Sequence, residues 1–283
     1  MNIKYETLCE IGSKRNSNQD RITAHSNDKI SIFAVADGMG GHSKGEFASE
    51  TVIIYLDTLW NEFSIFSRDF QTAVDMVITA LNNANEEIFR YAQSENIICG
   101  STASVLLIYN DLYAVINVGD SPVYHSDRKK AVHDSTEHSY DQIILKSTLI
   151  SPNELEPNRN GRLVQAVGVR RNIIPSVKTG ALKGKETFLI CSDGISRYFT
   201  DKKIFGYLRR TTAEKIDLSE LLNILKNTVY SMGAEDNLSA IVITINNHSD
   251  SVGKLNKFKS IFIATTIFTV LFIWVIINIM ILK

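Results

Sequence analysis

A run of 22 residues near the C-terminus, 261–282, carries no charged side chain, and it limits what the rest of the chain can be. A helix of that length spans roughly 33 Å, enough to cross the hydrocarbon core of a bilayer. The run shows no polar stripe, whereas a helix that packs on a soluble core usually keeps one. We therefore expect residues 261–282 to form one transmembrane helix; the alternative is a buried core helix.

The charges that flank this run predict an orientation. Lys254, Lys257 and Lys259 precede it, and only Lys283 follows it. Because lysine and arginine collect on the cytoplasmic side of membrane segments, we expect the preceding body to be cytoplasmic. The predicted organisation is a folded domain at 1–246, a basic juxtamembrane linker at 247–260 and a membrane anchor at 261–282, with the lipid bilayer as a partner.

The composition of the body excludes several classes of protein. Residues 1–250 hold 26 basic and 31 acidic residues, so a basic footprint for nucleic acid is not expected. The three cysteines, Cys9, Cys99 and Cys191, are far apart and odd in number, which indicates neither a zinc site nor a disulfide framework. Reduced thiols in a cytoplasmic compartment are the simplest interpretation.

Short apolar runs alternate with helical periodicity along the body, which favours an α+β fold over a purely parallel sheet. Asn110 and Asp111 separate two of these runs and predict an antiparallel hairpin. From about 126 to 185 the chain is polar and irregular, with weak strand signals near 163–169. The predicted strands are 31–36, 104–109, 112–118, 187–191 and 240–245, and helical stripes lie within 46–60, 70–91 and 218–229.

Three aspartates stand at the ends of predicted strands. Asp37 follows 31–36, Asp193 follows 187–191, and Asp236 precedes 240–245. Each alone is typical of a turn, in which aspartate caps its own loop and glycine supplies a positive φ. Together they predict carboxylates that converge at one rim and need cations to neutralise their repulsion. Oxygen ligands without a Cys or His cluster favour Mg²⁺ or Mn²⁺, and a carbonyl from Gly38 can join them.

Six short motifs follow one another along the chain: RxxNQD at 15–20, VADGMGGHxxGExAS at 35–49, GST at 100–102, VGDS at 118–121, CSDG at 191–194 and EDN at 235–237. In this order they resemble the metal-dependent serine/threonine phosphatases of the PPM (type 2C) family. Two weaker matches lie at 135–139, which resembles that family's TxDHS, and at 165–168, which resembles its ALG element. The resemblance covers about residues 1–246, and the DGMGG form is typical of bacterial members.

The resemblance implies a four-layer αββα sandwich of two antiparallel sheets flanked by helices. It also implies two Mn²⁺ or Mg²⁺ ions, with a weaker third, and hydrolysis by a water that bridges two metal ions. By position, the resemblance makes Asp37 the ligand that bridges both ions, and Gly38 gives its carbonyl to one of them. Asp193 and Asp236 complete the direct ligands, while Asp20 holds metal-bound water. Asp120 helps to hold the third ion, and Arg15 binds the substrate phosphate.

This sequence departs from the family pattern at several positions. Pro122 stands where many members have the arginine of VGDSR, and Met39 stands where some have the histidine proposed as general acid. Glu137 replaces the usual aspartate of TxDHS, and His42 is as well explained by a structural role as by acid catalysis. The general acid therefore stays open, and none of these changes removes a predicted direct ligand.

The resemblance implies Ser/Thr-phosphorylated proteins as substrates, and a site at the bilayer favours membrane Ser/Thr kinases or their targets as partners. Two alternatives stay open. One is an inactive phosphatase-like module that binds phosphoproteins. The other is an interaction protein whose acidic turns only cap loops, and metal binding and turnover separate the three.

Overall fold

The computed structural model describes residues 1–41, 43–66, 69–127, 129–135 and 165–247. Within these ranges the strands form two antiparallel sheets. The first sheet has the order β1-β11-β10-β7-β8, and the second has the order β2-β3-β5-β6-β9 with the short β4 paired to β3. The strands are β1 (Asn2–Glu10), β2 (Asp20–Ser26), β3 (Ile30–Met39), β4 (Gly100–Ser101), β5 (Ala103–Tyr109), β6 (Leu112–Val118), β7 (Val123–Ser126), β8 (Ala131–His133), β9 (Ser176–Ala181), β10 (Lys185–Cys191) and β11 (Leu238–Asn246).

Helices cover the outer faces of both sheets. Two long helices, α1 (Ser43–Phe66) and α2 (Phe70–Ser94), pack on the second sheet, and Asp69 caps α2 by accepting a bond from the Thr72 N–H. The first sheet is covered by α4 (Asp201–Thr212) and α5 (Leu218–Ser231), after the single turn α3 (Asp193–Ser196). The implied four-layer αββα sandwich is present in the described residues.

Strand β3 shows why the central strands read as continuous apolar runs. Phe33 and Val35 point between the sheets, where they meet Phe188 and Ile241. Ile32, like Ala34, points the other way, into the core under α1 and α2. Because successive side chains of a strand face opposite sides, a strand buried on both faces must be apolar throughout.

The predicted elements agree with the structure where the sequence signal was strong. All five predicted strands and all three helical stripes lie within observed elements, and β5 and β6 pair as the predicted hairpin around Asn110, whose φ is +51°. The sequence analysis did not predict β1, β2, β7, β8, β9 or α4. Of the weak strand signal near 163–169, the described part keeps one bridge, between Val167 and Ser101.

Several expectations fall on residues outside the described ranges. These are the membrane segment 261–282, nearly all of the linker, His42, and the 136–139 part of the TxDHS-like stretch with Glu137. Among the helices that the described ranges contain, none combines the length and the apolar character needed to cross a bilayer. The transmembrane helix of the predicted architecture therefore stays a prediction.

Candidate active site

The predicted aspartates gather at one rim of the sandwich because strands of both sheets end there. In the second sheet, Asp20 at the start of β2 pairs across the ladder with Asp37 near the end of β3. In the first sheet, β10 ends at Cys191 just before Asp193, and β11 begins at Leu238 just after Asp236. Two sheets therefore deliver carboxylates to the same edge of the molecule.

The backbone around Asp37 is fixed by the GST motif. The Asp37 N–H donates to Thr102 Oγ1 at 3.0 Å, and the Asp37 carbonyl accepts from the Thr102 N–H at 2.8 Å and from Ser101 Oγ at 3.1 Å. At Gly38 a Cβ would lie 2.1 Å from the Gly45 carbonyl oxygen and 2.7 Å from that of Gln19. Only glycine fits at position 38, because the backbones of Gly45 and Gln19 approach it so closely. The Gly38 carbonyl therefore stays at the rim.

The Asn237 side chain joins the two sheets beneath the site. Its Oδ1 accepts the Gln19 N–H at 2.9 Å, and its Nδ2 donates to the carbonyls of Ile11 at 2.9 Å and Ser17 at 3.0 Å. Asn237 therefore holds both ends of the loop that carries Arg15. The sequence analysis placed Asn237 in a motif but did not predict this cross-link.

Arg15 lies beside the carboxylates of the rim. Its Nη2 forms an ion pair with Asp236 Oδ2 at 2.7 Å, and the hydrogen bond to Asp236 raises the pKa of the guanidinium. Gly12, at φ +76°, turns the loop so closely against the Asp236 backbone that a Cβ would lie 2.1 Å from its carbonyl oxygen. The loop thus holds Arg15 at the rim, with the side chain half exposed to solvent.

A second arginine, Arg197, reaches the same carboxylates and was missed by the sequence analysis. It forms an ion pair with Asp193 Oδ2, and its Nη1 lies 3.8 Å from Asp236 Oδ2. Its position four residues after Asp193 was the available signal, because such residues lie on one side of a helical turn.

Burial and mutual repulsion raise the pKa values of the acids at the rim. Burial raises the pKa of Asp37 well above its ordinary value, and the charges of Asp20, Asp193, Asp120 and Asp236 add to it. The pKa of Asp20 rises to about 6, again mainly through burial, although hydroxyls of Ser192 and Ser239 oppose the shift. Carboxylates that repel one another in a buried site are destabilising unless cations compensate them.

Asp120 belongs to the same group of charges. It follows β6 and Gly119, whose φ is +109°, and burial with the charge of Asp193 raises its pKa to about 6. The positive charge of Arg197 opposes that shift, so the guanidinium lies on the Asp120–Asp193 side of the rim. This is the side at which the resemblance places the weaker third metal.

The rim residues in the described ranges offer the carboxylate oxygens that divalent cations prefer, although these side chains do not form a complete coordination shell. Asp20 Oδ2 is buried and has no hydrogen-bond partner within the described ranges, which is the state of an oxygen that lacks a cation or a water. In the same part of the chain, no three acidic, histidine or cysteine side chains converge on one point. Arginines hold Asp193 and Asp236, and a cation would have to displace them.

The departures from the family pattern are found around the site. Met39 pairs with Gly100 of β4, so a thioether lies two residues beyond Asp37. The Pro122 carbonyl accepts the Cys191 N–H at 3.2 Å, which gives this residue a structural place in the first sheet. Cys191 is buried, and all three cysteines are free thiols, as expected.

Known proteins give an independent comparison. The sequence profile of the Protein phosphatase 2C family matches residues 12–228. The serine/threonine phosphatase stp of Listeria innocua is 28% identical over 247 residues, which cover 85% of this chain and 95% of that protein.

Solved structures agree on the fold. The serine/threonine phosphatase PstP/Ppp of Mycobacterium tuberculosis superposes with a TM-score of 0.73 at 22% identity, covering 87% of this chain and 99% of that one. The catalytic domain of PstP in complex with two manganese ions gives a TM-score of 0.70 at 22% identity, covering 86% and 99%. With a family profile that matches most of its length, the chain belongs to the protein phosphatase 2C family and is by class a protein serine/threonine phosphatase.

Proposed function

We propose that this rim hydrolyses phosphoserine and phosphothreonine in proteins with the help of two Mn²⁺ or Mg²⁺ ions. The observation that carries the proposal is the set of five aspartates, 20, 37, 120, 193 and 236, which share one rim next to Arg15. A fold needs no such concentration of repelling charge, whereas phosphoryl transfer depends on cations held at one point. The structure of PstP with two manganese ions shows that a protein of this fold holds such a pair.

When bound, the two ions would supply an activated water for in-line attack on phosphorus and would stabilise the charge on its equatorial oxygens. Asp37, Asp193, Asp236 and the Gly38 carbonyl would hold the ions. Asp20 has a buried Oδ2 without a partner in the described ranges, which would accept a hydrogen bond from an ordered water. We propose that Asp120 contributes to a weaker third site.

Arg15 would orient the substrate. Its planar guanidinium bonds a carboxylate here, and a phosphate offers the same arrangement of two acceptor oxygens. Arg15 would therefore release Asp236 and bind the substrate phosphate. Asp236 would then be free to bind a cation. Met39 has no proton to donate, so that side chain takes no part in protonating the leaving serine or threonine oxygen.

The test is hydrolysis of an aryl phosphate by the full chain in detergent. Activity should disappear after chelation and return with Mn²⁺, and Asp236→Asn should lower turnover by at least about 10³-fold, the loss typical of removing a transition-state contact. Asp28→Asn, in the exposed turn before β3, is the matched control and should keep wild-type turnover. Near-normal turnover of Asp236→Asn would refute the site.

The two alternatives give different results in calorimetry. A phosphoprotein-binding module would bind Mn²⁺ and a phosphopeptide without turnover. An interaction protein with acidic caps would bind no Mn²⁺ even at millimolar concentration.

We further propose that residues 261–282 anchor the enzyme in a membrane with the catalytic domain in the cytoplasm. The support comes from the sequence: 22 uncharged residues preceded by Lys254, Lys257 and Lys259. Membrane Ser/Thr kinases or their targets would then be substrates at high local concentration.

The membrane proposal is tested by extraction of membranes with alkaline carbonate. The full chain should stay with the membrane fraction, and a chain in which Val270 and Ile276 are both changed to Asp should be released. A matched variant with the same residues changed to Leu should remain. Release of the wild-type chain, or retention of the Asp variant, would contradict the anchor.

A further inference from the structure

The loop formed by residues 165–174, which begins with the ALG-like element, lies directly beside the rim of aspartates. Val167 exchanges two backbone hydrogen bonds with Ser101, at 2.8 and 2.9 Å. Ser101 in turn donates its hydroxyl to the Asp37 carbonyl. Ser101 therefore links Val167 directly to Asp37, the predicted bridging ligand.

The loop is held in place by two buried or half-buried amides. Asn85 of α2, which is 2% exposed, accepts the Gly168 N–H at 2.7 Å and donates to the carbonyls of Arg170 and Arg171 at 3.1 and 3.0 Å. Gln165 closes the loop by two hydrogen bonds to the backbone of Ile174, at 2.8 and 2.9 Å. Such bonds fix the backbone before any partner arrives, which lowers the entropic cost of binding.

The side chains of Arg170 and Arg171 are exposed to solvent, while their carbonyls are tied to Asn85. Neither arginine forms an ion pair with any acid in the described ranges. Lys44 adds charge on this side of the rim, since its positive charge acts on the thiol of Cys99, next to the Gly168 backbone. The loop thus presents two positively charged side chains that no acid in the described ranges neutralises.

Exposed aliphatic side chains lie on the same loop and beside the DGMGG stretch. Ile174 and Ile98 are each 78% exposed, and Val169 is 37% exposed. The Ile98 carbonyl oxygen lies 3.1 Å from where a Cβ of Gly40 would stand, which places this residue beside the DGMGG stretch. Exposed apolar side chains grouped around positive charge are typical of a surface that binds another protein.

We infer that this arginine surface, formed by Ile98, Val169, Arg170, Arg171 and Ile174, binds an acidic segment of the phosphoprotein substrate next to the phosphorylated residue. The inference rests on the proposed function and specifies its substrates. An extended peptide advances about 3.3 Å per residue, so acids some three to six residues from the phosphate lie roughly 10–20 Å from it, which is the scale of a loop next to the rim. Substrates with acidic or additional phosphorylated residues at that spacing are therefore preferred.

The experiment compares two phosphothreonine peptides of equal length, one with aspartates at three to six residues on either side and one with serines there. For the wild-type chain, kcat/KM should be about tenfold higher for the acidic peptide, mainly through KM, and the preference should shrink between about 0.05 and about 0.5 M salt. R170A/R171A should lose the preference and keep wild-type turnover of an aryl phosphate.

The matched control is R209A/R210A, which removes an adjacent exposed arginine pair from α4 and should keep the preference. Fluorescence anisotropy of the same peptides separates this inference from the proposed function, because binding is measurable without turnover. Equal binding of both peptides by the wild-type chain, or equal loss of preference in both arginine pairs, would overturn the inference. Failure of aryl phosphate hydrolysis with intact peptide discrimination would instead refute the proposed function.

Discussion

The rim of aspartates and an interior cluster between the sheets both contain buried acids, yet these acids have different surroundings. At the rim, five aspartates face Arg15 and Arg197. In the interior cluster, defined as His125, Asp134, Lys178 and Glu186, two carboxylates meet two basic side chains. The same sandwich thus contains one group of crowded like charges and one group in which each acid has a hydrogen-bonding or basic neighbour.

Each acid of the interior cluster has a basic neighbour, although Asp134 Oδ2 accepts no hydrogen bond within the described ranges. His125 lies between Glu186, at 2.8 Å from its Nε2, and Asp134, at 3.6 Å from its Nδ1, and its ring stacks on Phe188 with the centroids 4.2 Å apart. Lys178 reaches the other oxygen of Asp134 at 2.5 Å. A buried hydrogen bond of this kind is costly to break, because removing one partner leaves the other polar group buried and unsatisfied.

The difference separates a structural site from a functional one. Acids that have hydrogen-bonding or basic neighbours can be kept in a fold without a ligand. Excess charge of one sign, buried against a sheet, destabilises the fold unless a ligand of opposite sign binds there. Mutations that neutralise one acid should therefore have opposite effects on stability in the two places.

The largest effect is expected from Asp37→Asn. Turnover of an aryl phosphate should fall by at least about 10³-fold, while the melting temperature of the metal-free chain should rise or stay unchanged, because a repelling buried charge is removed. Chelated samples in a thermal melt and a steady-state assay measure the two quantities. A clear fall in the melting temperature of the variant would show that the neighbouring acids do not destabilise the Asp37 carboxylate.

Glu186→Ala should have the reverse outcome. The free energy of unfolding should fall by about 3 kcal/mol, because His125 loses its 2.8 Å partner and the Lys183 N–H loses its acceptor. Turnover per folded molecule should stay within about twofold, since no contact of the rim is lost. Denaturant titration measures the first value, and Glu186→Gln, which can keep both hydrogen bonds, should recover much of it.

Asp120→Asn should change the pH dependence of stability. Because the folded pKa of about 6 lies above the ordinary 3.8, this group contributes stability below about pH 4 that is lost as pH rises through about 6. In chelated samples the variant should match wild type near pH 4 and exceed it by roughly 1–3 kcal/mol at neutral pH. Thermal melts across this range measure the difference, and a constant difference would contradict the burial of charge.

The smallest effect is expected from Arg197→Ala. Stability should change by less than about 0.5 kcal/mol, because the side chain is 62% exposed and the pair with Asp193 lies at the surface. Mn²⁺ should bind about three- to tenfold more tightly in calorimetry, since a competing cation is gone. Arg209→Ala is the control, and unchanged affinity in Arg197→Ala would show that the guanidinium does not compete for the acids.

The sequence alone determined the central strands, the long helices and the residues expected at the site. Strands β3, β5, β6, β10 and β11 are buried on both faces, so their apolar character is visible without the fold. The strands that it missed carry weaker signals. Edge strands β1 and β9 are mostly exposed, and β7 and β8 are only four and three residues long. Likewise, Asp37, Asp193 and Asp236 were recognised because glycine or asparagine beside each one marks a turn, whereas Asp20 and Asp120 came from the resemblance to a family.

Only the tertiary structure decided which of these residues meet and what holds them. Asn237 binds a loop more than 200 positions away in sequence, and Arg197 and Asp120 face each other from different sheets. The arginine surface exists because Asn85, on a distant helix, fixes residues 168–171. Local periodicity encodes which element forms, whereas contacts between sheets depend on how the whole sandwich packs, and so does the excess of charge at its rim.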